Sequence, residues 1–430
     1  MKRFAAVLLA VCMAVTLGAC KAPKQIGESS TGENKKEEKV EVEGLKVGYL
    51  FYGDSEKTGT KARREAIDKM QGTTGLTDSQ IIISENVQKK NLEKKVEGLV
   101  SKGCSLIFST DRAYEKYIIR MAKKYTDVQF CQEGGRKGER AKKKGISNYH
   151  TFNTRLFEAY HVGGLVAGKV LVDRLNNGKA EPYTFQVGFV AEEKCPEAIS
   201  CATAFFLGVK RAYSNAKMYI RYVGSKGVYD DDAKEAKQLV LAGVSVMGEF
   251  TSTTAVAAVC AENGIPVVGC DVGMIDVAPK DALTSAVSDW SLYYNYAVNQ
   301  VQNGQDIDAD WSAGYAEGAN IITQLNDEHI AEGTVEEVKD LEKNIRAGKA
   351  KIFNTKNFTI GEQKLEDLVK NNGDYKKFKG AVKGGQYLEC SLNSAPDWDV
   401  LIDGSEVSDY DYVAVQEQQQ EEMQSSDEDY

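Results

Sequence analysis

Histidine is scarce in this chain. His150, His161 and His329 are the only three, they are not spaced as ligands to one metal ion, and the H-E-x-x-H pattern is missing. No C-x-x-C pair occurs, which argues against a zinc site or a thioredoxin-type motif. A Walker A loop and a G-x-S-x-G elbow are also missing, so neither nucleotide-phosphate chemistry nor a serine hydrolase has its usual signature. The formal charge is -9 and no long basic, aromatic-studded patch appears, which argues against a nucleic-acid surface. The one compact basic stretch, GGRKGERAKKKG, reads as a solvated turn. These absences predict no metal, no cofactor and no catalytic group: a protein that binds rather than an enzyme.

What is present begins at the N-terminus. Lys2 and Arg3 precede an apolar run from Phe4 to Leu17, too short for a permanent span. The run ends in Leu17-Gly18-Ala19-Cys20, which resembles the bacterial lipobox; in that signal the cysteine receives the lipid and becomes the mature N-terminus. Residues 1–20 are therefore expected to be a lipoprotein signal with Cys20 as the lipid attachment point, and the product a protein held at the extracytoplasmic face of the cell membrane. Residues 21–44, rich in Lys and Glu, are expected to be a flexible tether, and the Asp, Glu, Gln and Ser tail over 405–430 to be disordered. Nine cysteines occur. Cys104, Cys131, Cys260 and Cys270 lie in or beside apolar segments, where cysteine acts as a small hydrophobe. Cys195 and Cys201 are close enough in sequence to pair across a local loop.

Between tether and tail, short apolar runs alternate with helical patterns, which implies parallel sheet and right-handed crossovers. Leu45 to Tyr52 (LKVGYLFY) is a nearly continuous apolar run, as expected of a strand covered on both faces. Leu92, Val96, Leu99 and Val100 recur at helical spacing. The alternation stops and restarts around Asn148 to Val170, read as an extended crossing over 146–152 feeding a helix that begins near Thr154. Gly163, Gly164, Ala167 and Gly168 give that helix a small-residue face, a feature that needs close packing, since each glycine costs roughly 1 kcal/mol relative to alanine. Thr334 with Glu337 reads as a capping box for a helix ending at Gly348. The resulting expectation is an α/β chain of two lobes, each a parallel sheet flanked by helices and joined by crossover strands. Lobe one takes 45–151 plus 288–318 and lobe two takes 152–287 plus 319–356, with an extension over 357–404 packed on the body.

In open α/β sheets ligands bind beyond the carboxyl ends of the strands. Two such lobes face each other across one cleft, and hinge closure traps the ligand there. The strand-end loops supply the candidates: Asp54, Lys57 and Asp111 from lobe one, Tyr229, Thr251 and Asp271 from lobe two, and Phe152 and Trp290 from the crossings. Phe152, Tyr229 and Trp290 can stack on a planar ligand. Asp111 and Asp271 can accept hydrogen bonds from hydroxyl or ring N–H groups. A strand-end Asp is also a common helix cap, and Trp290 is equally placed for packing.

Seven stretches, LKVGYLF, SKGCSLIFST, YTDVQF, FEAYHVGGLVAG, ENGIPVVGCD, LTSAVSDWSLYY and AGKAKIF, make the chain resemble the basic membrane lipoprotein family over residues 45–355. These are the Bmp/PnrA-like substrate-binding proteins of ABC transporters, with a type I periplasmic-binding-protein fold. The resemblance implies capture of a purine nucleoside or nucleobase and delivery to a membrane permease, with no bond made or broken. The chain departs from the family in its first loop, where Lys57 and Thr60 stand near the usual acidic residue and aromatic. It departs also at Thr251-Ser252-Thr253, where the family has an acidic residue, and at Asp289-Trp290, where many relatives have Lys. A sugar or amino acid in the same cleft, or a surface or adhesion lipoprotein whose cleft has decayed, are the other readings.

Overall fold

The computed structural model describes residues 44–416 and 418. The signal with Cys20, the tether before Gly44 and the end of the tail lie outside the described residues.

The first lobe runs β1 (Lys46–Leu50), α1 (Thr58–Thr74), β2 (Ile81–Ser84), α2 (Leu92–Ser101), β3 (Cys104–Ser109), α3 (Glu115–Lys124), β4 (Gln129–Glu133), α4 (Gly138–Lys142) and β5 (Tyr149–Thr154). The chain then builds most of the second lobe: α5 (Phe157–Asn176), β6 (Val187–Ala191), α6 (Pro196–Ala212), β7 (Met218–Tyr222), α7 (Tyr229–Leu241), β8 (Val246–Phe250), α8 (Ala255–Asn263), β9 (Val267–Cys270) and β10 (Ala282–Ser288). It returns to the first lobe as α9 (Ser291–Gln302) and β11 (Asp310–Ala313), and crosses once more into β12 (Asn320–Ile322) and α10 (Thr334–Arg346). The extension holds α11 (Leu365–Asn371), a small hairpin of β13 (Val382–Lys383) and β14 (Gln386–Tyr387), and β15 (Ser405–Val407).

The first sheet is ordered β11-β5-β4-β3-β1-β2 and the second β12-β10-β9-β8-β6-β7-β15. All pairings in the first are parallel, and in the second only β10 with β12 is antiparallel. Each sheet is covered on both faces, which is why its strands read as apolar runs. In lobe one, Ala66, Ile67 and Met70 of α1 and Tyr293, Tyr294 and Ala297 of α9 cover one face. Leu92 and Val96 of α2 and Ile118 of α3 cover the other. In lobe two, α5, α6 and α10 share one large core with the extension, and α7 and α8 cover the far face.

The small-residue helix packs mainly on another helix. A Cβ at Gly164 would sit 2.0 Å from the Phe205 carbonyl oxygen of α6, and one at Gly208 of α6 would sit 2.2 Å from the His161 carbonyl oxygen of α5. No larger residue fits between these two backbones.

Four expectations need correction. Phe152, Asn153 and Thr154 belong to the first sheet, and α5 starts only at Phe157. The strand is prolonged by pairing with β11, which arrives from more than 150 residues away (Asp310↔Thr151, Ala313↔Thr154), so no local pattern marks its end. Ser288 pairs with Asn320 and therefore stays in the second sheet. Residues 405–416 are part of the body: β15 adds in parallel to β7, and the Arg221 guanidinium donates to the carbonyls of Ser408 (2.7 Å) and Tyr410 (2.9 Å). An edge strand pairs through its backbone, so a segment without an apolar face can take that place. Finally, α10 has no capping box. Its cap is Gly333 at φ 74°, the Thr334 hydroxyl donates to the Ala331 carbonyl, and Glu337 pairs with Lys169 at 2.6 Å.

Candidate functional site

Three crossings join the lobes, at β5 to α5, β10 to α9 and β11 to β12. The carboxyl ends of both sheets face a cavity of 360 Å³ lined from both lobes. That volume is in the range of small-molecule sites.

Of the residues picked from the sequence, the structure brings Lys57, Asp111, Thr251, Asp271 and Trp290 to the cavity wall. Three do not line it. Phe152 is fully buried in the core of lobe one with its ring stacked on Tyr293 at 3.9 Å, and only Asn153 and Thr154, at the end of the strand, reach the cavity. Tyr229 opens α7 and is 47% exposed. Asp54 serves its own turn, accepting from the Glu56 N–H at 3.2 Å and from Asn86 at 3.4 Å.

Sequence reasoning missed Arg63, Arg112, Glu192, Glu197 and Lys226, all of which line the cavity, as does Glu133 at the carboxyl end of β4. Arg63 lies more than a helical turn inside α1, and the i to i+4 spacing from Gly59 is the signal that could have found it: its Nη1 donates to the Gly59 carbonyl at 2.6 Å. The same guanidinium is paired with Glu133, with Nε to Oε2 at 2.8 Å, and lies over the Trp290 ring at 4.8 Å.

Asp271 follows β9 in the left-handed region, at φ 62°, a conformation that Asp tolerates better than most residues and that clusters at functional sites. Its Oδ2 accepts from the Thr58 hydroxyl at 3.3 Å, and a Cβ at Gly59 would lie 3.0 Å from the same oxygen. The glycine thus lets the first turn of α1, with its positive end, approach this carboxylate. Burial raises the Asp271 carboxyl above its usual range, against the pull of Arg63 and Thr58. Burial likewise raises Glu133, against Arg63. Glu192 accepts from the backbone N–H groups of Gly227 (2.7 Å) and Ser252 (2.8 Å), yet burial still pushes it up to about 7. Behind the wall, Glu249 is fully buried, holds the Thr251 hydroxyl at 2.9 Å and is raised well above its usual range by burial.

The lobes are joined across the cleft in this conformation. Thr58 N–H donates to the Ser252 carbonyl at 3.0 Å, and Lys57 donates to the Gly227 carbonyl. Lys226 pairs with Asp111 at 3.3 Å and Glu193 at 3.2 Å, and Arg112 with Glu193 at 2.8 Å and Glu197 at 3.8 Å. Every cation in the cavity wall therefore has a partner. Four rings line the space, Tyr52, Phe157, Phe250 and Trp290, and both carboxylate oxygens of Glu197 lack a hydrogen-bond partner.

Residues 56–354 match the family described as ABC transporter substrate-binding protein, PnrA-like. The chain belongs to that family. It is thus an ABC transporter substrate-binding protein of the PnrA-like type, an extracytoplasmic component that binds a solute and works with a permease, and the family is not an enzyme class. The chain is 26% identical over 268 residues to a purine-binding protein of Brucella abortus, covering 61% of this chain and 70% of that one. It is 21% identical over 275 residues to a putative ABC transporter glucose-binding protein of Haloferax volcanii, covering 62% and 65%. The crystal structure of an ABC transporter system solute-binding protein from Aeropyrum pernix superposes with a TM-score of 0.61 at 14% identity, covering 82% of this chain and 100% of that one. That likeness shows the type I periplasmic-binding fold.

Among the described residues no group of three or more His, Cys, Asp or Glu is arranged to hold a metal ion, and no helix is long and apolar enough to cross a membrane. The seven described cysteines are free. Cys195 caps α6 and Cys201 lies on it, about 9 Å further along at 1.5 Å per residue, which exceeds the reach of a disulfide. They do not pair.

Proposed function

We propose that this PnrA-like protein captures a purine nucleoside or nucleobase between its lobes and delivers it to its permease, held to the outer face of the membrane by lipid on Cys20. The carrying observation is the state of the wall: all four of its cations are engaged, while carboxylates and aromatic rings remain available. A phosphate or an amino-acid carboxylate would have to break an ion pair to bind Arg63, Arg112 or Lys226, and would have to share Lys57 with the Gly227 carbonyl. A neutral, planar ligand rich in N–H and O–H donors would not, and its rings would lie against Trp290, Phe157 or Phe250. The purine-binding relative supports this reading. A neutral sugar is the second reading: the same acceptors suit its hydroxyls, and one relative is named as glucose-binding.

A thermal-shift screen separates the two. At a hundredfold excess over its dissociation constant a ligand stabilises the folded state by about 2.7 kcal/mol. Guanosine, adenosine or a free purine base is expected to raise the melting temperature by several degrees, and the corresponding monophosphates are expected to do nothing. A response to hexoses alone would replace the purine by a sugar. No response to any compound would favour a surface lipoprotein with a decayed cleft. Asp271→Asn keeps an asparagine-tolerant backbone and removes a charged acceptor, so affinity should fall about tenfold or more with the melting temperature of the free protein nearly unchanged. Equal affinity by calorimetry would take Asp271 out of the site. For the anchor, Cys20→Ala should move the protein from the detergent phase to the aqueous phase.

A further inference from the structure

The family match ends at residue 354, and the next fifty residues build something of their own. Trp398 is fully buried in the second lobe. It is surrounded by Phe353, Phe358, Phe378 and Tyr387 with ring centroids 5.0–5.6 Å away, and its indole N–H donates to the Thr203 hydroxyl of α6 at 3.1 Å. The loop before it is held rigidly. Buried Glu389 accepts from the N–H groups of Asp397 (2.7 Å) and Trp398 (3.2 Å), and Asn393 donates to Asp397 at 2.7 Å. From this anchor the loop reaches the other lobe. Ser394 N–H donates to Asp310 of β11 at 2.8 Å, and the Arg136 guanidinium binds both the Asp397 carboxylate and the Pro396 carbonyl. Arg136 is itself set by first-lobe contacts, its N–H donating to Glu115 at 2.7 Å. Between these two ends, Pro396 lines the ligand cavity.

We propose that Asn393–Trp398 is a latch between the lobes: a fourth, non-covalent crossing that holds the cleft closed and supplies one piece of the cavity wall. The three covalent crossings are hinges and permit opening. The latch does not permit it, because Trp398 moves with lobe two while Arg136 and Asp310 move with lobe one. Opening must break the Arg136 and Asp310 contacts, so the extension sets the balance between open and closed forms and, on the ligand reading above, the rate at which a bound solute leaves.

The test uses the whole protein with Arg136→Glu, and with the exchanged pair Arg136→Asp/Asp397→Arg. Small-angle scattering of the ligand-free protein is expected to give a larger radius of gyration for Arg136→Glu and a return toward the parent value for the exchanged pair. Release of tritiated guanosine is expected to be about tenfold faster from Arg136→Glu, since interface changes act mainly on dissociation. Should a melt show Arg136→Glu unfolded, Asp397→Asn gives the same comparison with an isosteric change. An unchanged radius in a folded Arg136→Glu or Asp397→Asn overturns the latch. The scattering needs no ligand, so a protein that binds no nucleoside at all would refute the purine reading while leaving the latch to be decided on its own.

Discussion

Across the cleft, the first lobe brings Lys57, Arg63 and Arg112 against Asp111 and Glu133, whereas the second brings Glu192, Glu193, Glu197 and Asp271 against Lys226 alone. The two sheets are built alike, so this asymmetry comes from the loops and not from the architecture. Its pairs divide by role. Arg63 and Glu133 are both in lobe one and stay together whether the cleft is open or shut. Arg112 with Glu193, and Lys226 with Asp111, meet only on closure. Charge therefore organises one wall internally and draws the two walls together. The acceptors left over for a ligand, Glu197 above all, sit on the second wall.

The largest effect is expected at Arg63. Removing one partner of a buried pair leaves the other charge uncompensated, at a cost of about 3–5 kcal/mol. Arg63→Met should lower stability to denaturant by that order, and adding Glu133→Gln in the same chain should restore most of it. A single variant as stable as the parent would mean that the pair does not hold the first wall.

The second wall should respond to pH instead. Glu192 sits at about 7 in the folded protein, against about 4.3 in an unfolded chain. The folded state therefore binds the extra proton, and the stability this confers is full below about 4.3 and is lost as pH rises toward 7. Glu192→Gln keeps an acceptor for Gly227 and Ser252 and removes the titration. It should stabilise the protein by on the order of 2 kcal/mol at pH 8 and scarcely at all at pH 4, read from melts at both. Equal shifts at the two pH values would contradict this.

The smallest effect belongs to the closure pairs, whose cations Lys226 and Arg112 are partly exposed. Lys226→Ala should weaken ligand binding by up to about 1 kcal/mol in dilute buffer and by less in 1 M salt, where such pairs are screened. A loss that does not vary with salt would assign Lys226 a direct contact with the ligand.

Much of this was legible in the residues. Apolar runs such as LKVGYLFY mark strands covered on both sides, and the rule that ligands lie at strand carboxyl ends led to Lys57, Asp111, Thr251, Asp271 and Trp290. What escaped was what depends on distant chain. The strands β11 and β15 are short and polar, and they exist because another strand offers its backbone, so the lobe boundary at Thr154 and the ordered part of the tail had no local mark. Phe152 failed because its strand runs on to Thr154, so that only Asn153 and Thr154 reach the cavity and the ring stays in the core. Arg63 and Glu197 project to the cavity from helices, Arg63 more than a turn inside its own, where counting loops does not reach. The loop that carries Pro396 comes from outside the segment that resembles the family.

The edge strand β15 has a consequence for how such a chain is made. Arg221 and Ser408 are 187 positions apart, yet β7 and β15 lie side by side, and β7 has no other partner on that side. As the polypeptide is made from its N-terminus, β7 is finished long before the residues that cover it arrive. During that interval the second lobe presents a bare row of amide and carbonyl groups, open to pairing with a neighbouring nascent chain. A chain truncated before Ser405 would keep that exposure permanently, so the last strand is a safeguard for yield as well as a piece of the sheet.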